Sequence, residues 1–294
     1  MECGSRSIIH MEGQLDFEKV RVTAFNISAK AFEYLVDEVQ SIFDANAEII
    51  DDIFPLAKFI IDRSSTVALL VQQDKLWDAE IIFRSVLEVL SKFLIITTQK
   101  DEAQLKIKLN EFWSQISDME YLRYSAAVEK LVKHGNMNDI DTFKKTILTD
   151  EERSELESKV PKDKRKLLSN DWSFNGIILS LEKNKDLNPL IALEVLQFFW
   201  KMASHVAHGD KVGLNAIRLR DNVPNGREFR DVTQFLKLIK AVTTSCYWVA
   251  VQLALFVKDA EKQTTITKHF LDTNMDLTAI HLLVSQEAKK HGID

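Results

Sequence analysis

The stretch DAEIIFRSVLEVLSKFLI, residues 78–95, decides the fold. Its charges stand at Glu80, Arg84, Glu88 and Lys92, each four residues apart, and the positions between them are mostly Ile, Val, Leu and Phe. At about 100° per residue, positions four apart trace one slowly drifting stripe down a helix. A helix that is apolar around most of its remaining circumference belongs in a core. Two placements of the stripe fit. One is a surface ladder, in which each i,i+4 pair contributes about 0.2–0.5 kcal/mol. The other is a polar seam facing a cleft or a second seam, where further hydrogen-bond partners must offset the desolvation of the charges.

The same three-and-four spacing recurs along most of the chain. It predicts helices at about 28–45 (Phe32, Leu35, Val36, Val39 and Phe43 on one face), 47–73 with a bend near Pro55, 76–98, 101–134 closed by Gly135, 231–260 and 275–290. With only 8 Gly and 4 Pro in 294 residues, turn signals are too few for a many-stranded fold. The expectation is an all-α multi-helix bundle: a single domain over 14–294, with its core at about 28–134 and 171–260, C-terminal helices at about 231–291, and a charged helical insertion at about 135–170. Residues 1–13 read as a poorly ordered lead-in or a cloning remnant. Within the insertion, HGNMNDIDTF reads as loop and TDEERSELESKVPKDKRKLLS as a solvated helix broken near Pro161. Helix then resumes in DWSFNGIILSLEKN and in NPLIALEVLQFFWKMASHVAHG, the latter with Pro189 near its first turn. The segment 210–230, with Gly213, Pro224 and Gly226 among charges, reads as a loop.

Composition narrows the function classes. A net charge of −6 disfavours general attraction to nucleic acid or anionic membrane, though not a local basic patch. Two cysteines, Cys3 and Cys246, make neither a disulfide framework nor a metal cluster, and a reducing cytoplasm is the simple expectation. The most apolar run, CYWVAVQLALFV (246–257), is interrupted by Gln252 and is shorter than the roughly 20 residues of a membrane span. It reads as a core helix, and no membrane partner is expected.

A second polar seam lies in the helix ending KMASHVAHGD (201–210): Glu194, Gln197, Lys201, Ser204 and His208 follow spacings of three and four, with His205 close by. The opposite surface is assigned Leu193, Leu196, Phe199, Trp200 and Ala203. His208 stands at the helix end before Gly209, where a histidine also serves as a simple cap.

These two motifs carry a resemblance. Arg84, Ser85 and Glu88 (R-S-x-x-E), Trp172 and Ser173, and Ser204 and His208 (S-x-x-x-H) resemble the motifs of a bacterial helical family of unknown function, over about residues 60–215. That family is distantly similar to HEPN-like bundles, many of them metal-independent ribonucleases of toxin–antitoxin and phage-defence systems, with sites composed across a homodimer. The resemblance implies a helical bundle, RNA as a substrate, and an antitoxin or other protein partner. HEPN ribonucleases carry an arginine separated from the histidine by four to six intervening residues. Here Lys201 stands at that distance, without the guanidinium's bidentate fork.

Metal-free RNA cleavage needs a base, an acid and a cation for phosphate. The candidates are His208 (with His205 as understudy), Lys201 and Arg84 as cations, and Ser204 and Glu88 as orienting groups. The loop RLRDNVPNGREFR adds Arg218, Arg220, Arg227 and Arg230 as candidate contacts to a phosphate backbone, against a plain solvated surface. A weaker metal alternative is H-x-x-H-x-D, formed by His205, His208 and Asp210. Neither a nucleotide loop nor a cofactor motif is present, and no cofactor is expected. The competing class is a non-catalytic helical scaffold or regulatory protein that binds a protein partner. His10, His134, His269, His281 and His291 are isolated by spacing and are given no role.

Overall fold

The computed structural model describes residues 15–99, 101–134, 143–221 and 226–292, the side chains of Arg220 and Asp221 excepted. These residues form an all-α bundle, with no β-sheet among them. They fall into two compact units: residues up to Thr97 together with Leu187 onward, and Thr98–Asp186.

In the first unit, α1 (Phe17–Ile50), α2 (Phe54–Gln72) and α3 (Leu76–Thr97) pack with α9 (Leu193–His208), α10 (Lys211–Asp221), α11 (Arg227–Phe256) and α12 (Ala260–Lys290). The centre is α11, which packs on α1, α2, α3 and α12. Its residues from Ser245 to Ala254 are all buried, so the apolar run around Gln252 is core. By length and composition this helix could cross a membrane, but 83% of its apolar window is buried inside the protein. Gln252 is itself fully buried and satisfied at both ends of its amide: Nε2 donates to Thr97 O (3.3 Å) and Oε1 accepts from Asn188 N (3.2 Å).

Helix α3 is buried along more than half its length, as its apolar circumference requires. The α2–α3 turn is made by Asp74 at φ 58°, a left-handed conformation that aspartate tolerates better than most residues. Pro55 does not bend a helix: it stands at the start of α2, where a missing N–H costs nothing. Helix α1 begins at Phe17 rather than near 28, because the Asp16 side chain accepts from Lys19 N and Val20 and Ala24 are buried. Of its predicted face, Leu35 and Val39 are buried but Val36 is exposed. Pro189 precedes α9 instead of entering its first turn, and α12 starts at Ala260, capped by Asp259.

The expected loop at 210–230 is instead largely helical: α10 occupies Lys211–Asp221. Gly213 is no breaker there. A Cβ at that position would stand 2.3 Å from the His205 carbonyl oxygen, so glycine is what allows α10 to lie against the end of α9. Pro224 lies outside the described residues.

The second unit contains α4 (Glu102–Asn110), a π turn (Glu111–Gln115), α5 (Ile116–His134), α6 (Asp150–Lys159), α7 (Lys162–Asp171) and α8 (Phe174–Leu181). The expected single helix at 101–134 therefore carries a π turn inside it, and Gly135 lies outside the described residues. The charged stretch divides at Val160–Pro161, and α6 has no buried residue. A capping box starts α6, with Thr149 and Glu152 exchanging hydrogen bonds.

Candidate functional site

Helices α3 and α9 lie side by side, and their polar seams meet. Arg84 Nη2 pairs with Glu88 Oε1 at 3.0 Å, and Arg84 Nη1 lies 3.2 Å from His208 Nε2, across 124 residues of chain. Arginine has no lone pair to offer, so this contact requires a neutral His208 with its proton on Nδ1. Trp200 Nε1 donates to Glu88 Oε1 at 3.1 Å, and the Arg84 guanidinium carbon lies 5.8 Å from the Trp200 ring centroid. Glu88 thus fixes two donors, while the indole supports the cation from its face.

Trp200 was expected on the opposite, apolar surface. The structure puts it in the seam, and its spacing agrees: 200, 204 and 208 are each four apart, one row of an α-helix. Glu80, at the start of the α3 stripe, is 3% exposed and serves a different neighbour. It accepts from Gln234 Nε2 and lies 3.6 Å from Lys237 Nζ, both on α11. The stripe is therefore divided between a buried carboxylate held by α11 and a part-buried pair that faces α9.

Three groups in the cluster have unused capacity. Ser204 Oγ and Arg84 Nε are buried without a hydrogen-bond partner among the described residues. Lys201 is exposed, two helical turns from His208 on the same face, and makes no ion pair among the described residues. Ser85, by contrast, bonds back to Ile82 O at 2.6 Å within its own helix.

His205 belongs to the turn. Its Nδ1 lies 2.6 Å from Asp210 Oδ2, while Asp210 Oδ1 accepts from Val212 N (2.9 Å) and Gly213 N (3.1 Å), capping α10. The hydrogen bond from His205, followed by the one from Gly213 N, holds the Asp210 carboxyl below its ordinary range. Gly209, at φ 57°, closes α9 in the left-handed conformation that glycine adopts freely. Among the described residues no three His, Cys, Asp or Glu side chains gather to hold a metal. His205 and Asp210 pair with each other and His208 turns to Arg84, so the H-x-x-H-x-D alternative has no ligand set.

The basic cluster is only partly gathered. Arg218 is exposed on α10. Arg227 lies 3.7 Å from Asp231, Arg230 Nη1 donates to Leu219 O at 3.4 Å, and the Arg220 side chain lies outside the described residues. Trp172 and Ser173 belong to the second unit and act within it. Trp172 Nε1 donates to Glu111 Oε2 (3.0 Å), under the Lys108–Glu111 pair. The Ser173 hydroxyl caps α8 by accepting from Gly176 N, where a Cβ would stand 2.0 Å from Asn170 O.

The fold and this cluster define a helical-bundle protein with an Arg–Glu–Trp–His cluster at the junction of two helices. The chain belongs to a family of unknown function (DUF5677), whose sequence model matches residues 53–226, from the start of α2 past the end of α10. No curated protein and no solved structure matches it.

Proposed function

We propose that the chain is a metal-independent endoribonuclease of HEPN type, working in the cytoplasm as a toxin or phage-defence effector, with Arg84 and His208 at its centre. One observation carries this reading: the arginine that the local sequence lacks before His208 is supplied in space by α3, 3.2 Å from the imidazole. In the free protein Arg84 occupies the His208 lone pair. An RNA phosphate competes for the guanidinium, with Lys201 adding a second positive charge. His208 Nε2 is then free to take the proton of the ribose 2′-hydroxyl. The 2′ oxygen attacks phosphorus, the bond to the 5′ oxygen breaks, and a cyclic phosphate remains. The leaving oxygen takes its proton from an acid supplied by a second copy of the chain in a homodimer. Glu88 and Trp200 hold Arg84 in place, and Arg218 extends the positive path.

The test is growth on induced expression in bacteria. Wild-type chain slows growth, and His208→Ala and Arg84→Met at equal protein levels relieve the effect. Growth arrest that persists in both variants contradicts the reading.

A second reading, a binding protein without catalysis, is favoured by one observation. Glu88 already neutralises Arg84, and a cluster satisfied in this way can serve simply to lock α9 against α3. On that reading expression is harmless and His208 is dispensable.

A further inference from the structure

On another side of α9, an open groove of about 600 Å³ runs between α9, α11 and α12, within the range of small-molecule sites. Its walls are mostly apolar, with Phe83, Leu87, Leu196, Phe199, Trp248 and Leu282 among them. Exposed apolar side chains flank it: Val195 is 43% and Leu282 54% exposed. Two features separate it from a plain hydrophobic patch.

The first is a cation without a counter-ion. Lys240 lines the groove and its Nζ donates to Thr278 Oγ1, also in the wall, at 2.7 Å, but it makes no ion pair among the described residues. Burial pushes its pKa down, and it in turn helps to push His281, also in the wall, below the ordinary histidine range, after burial itself. The neighbouring Lys237 differs, because Glu80 lies 3.6 Å from it and it sits against Phe199. The second feature is a donor without an acceptor. Trp248 is 5% exposed, and its indole Nε1 is buried with no hydrogen-bond partner among the described residues. A buried N–H left unpaired is costly, and Trp248 is among the residues that line the groove.

We infer that this groove binds a small amphipathic acid, an elongated hydrocarbon body carrying one carboxylate, with the carboxylate on Lys240 and the chain along the α9–α12 wall. A neutral apolar ligand would leave the ammonium without a counter-charge, and a cationic one would be repelled by both lysines. The inference is independent of the ribonuclease reading, since none of the groups proposed for RNA chemistry lines the groove.

The probes are decanoate, 1-decanol and decylammonium, titrated calorimetrically into the purified full-length chain below their aggregation concentrations. One decanoate is expected to bind per chain, about tenfold or more tighter than either other probe, as a charge-assisted contact implies. Lys240→Met should remove that preference, weakening decanoate about tenfold while leaving decanol within about twofold. Thr244→Trp, at a half-buried wall position, should block both, with unchanged helix content by circular dichroism as the folding control. Absence of saturable decanoate binding, equal affinity for all three probes, or an unchanged decanoate affinity in Lys240→Met would overturn the proposal. So would a concentration-dependent dimer that Thr244→Trp dissociates and decanoate does not, which would make a second copy the occupant.

Discussion

Two polar intrusions into apolar helices can be set side by side: Gln252 in α11, and the Arg84–Glu88 pair in α3. Gln252 is closed. It is fully buried, each end of its amide has a backbone partner, and those partners join α11 to the end of α3 and to the segment leading into α9. The Arg84 cluster is open. It reaches solvent, pairs with a histidine whose proton position is restricted, and leaves Ser204 Oγ and Arg84 Nε unpartnered among the described residues. A polar group whose capacity is used up inside the protein specifies packing. One with spare capacity at a surface is available to a ligand.

This contrast can be broken by measuring stability and activity in the same variants. The largest effect on stability is expected from the apolar core of α3: Phe83, 1% exposed, should cost about 3–5 kcal/mol when truncated to alanine. Urea denaturation checks it, and a much smaller value would mean that α3 is loosely packed. Next comes Gln252→Leu. It leaves Thr97 O and Asn188 N without partners and should cost about 2–4 kcal/mol, with RNA cleavage per folded molecule unchanged. Arg84→Met should do the reverse. Its ion pair with Glu88 is partly exposed and worth about 1 kcal/mol or less, so the unfolding midpoint should barely move while activity is lost.

The smallest effect concerns Asp210. Its folded pKa is depressed, so its contribution to stability is present above the unfolded value of about 4 and is lost as pH falls through the lower folded value. Carboxyl chemical shifts followed by NMR should show Asp210 titrating below the exposed aspartates, and His205→Ala should return it towards them. A titration that His205→Ala leaves in place would remove His205 from the turn's electrostatics.

Much of the fold could be read from spacing alone, because apolar residues three and four apart in α1, α3, α9 and α11 leave little choice but helix. Boundaries were harder. The Asp16 cap and the glycine packed beneath His205 act through contacts, so α1 was expected too short and α10 was mistaken for loop. Both seams of the candidate site were visible as charge rows, but their meeting spans 124 residues and no local pattern encodes it. Trp200 was missed because a tryptophan was counted as apolar area. Its indole N–H, four residues before Ser204, was the available signal. Lys240, Thr244 and Trp248 share one row of α11, but His281, a wall of the groove on α12, had no local signal, since only packing brings it near Lys240.

The proposed chemistry on RNA at the open cluster is tested most directly by incubating the purified chain with an end-labelled RNA pool in EDTA. The account predicts cleavage that persists without metal and leaves cyclic phosphate ends. It also predicts that His208→Ala and Arg84→Met each lose about a hundredfold or more in rate, the scale of a missing general base or charge-stabilising donor. No cleavage by the wild-type chain, cleavage only when metal is restored, or full activity in His208→Ala would contradict it.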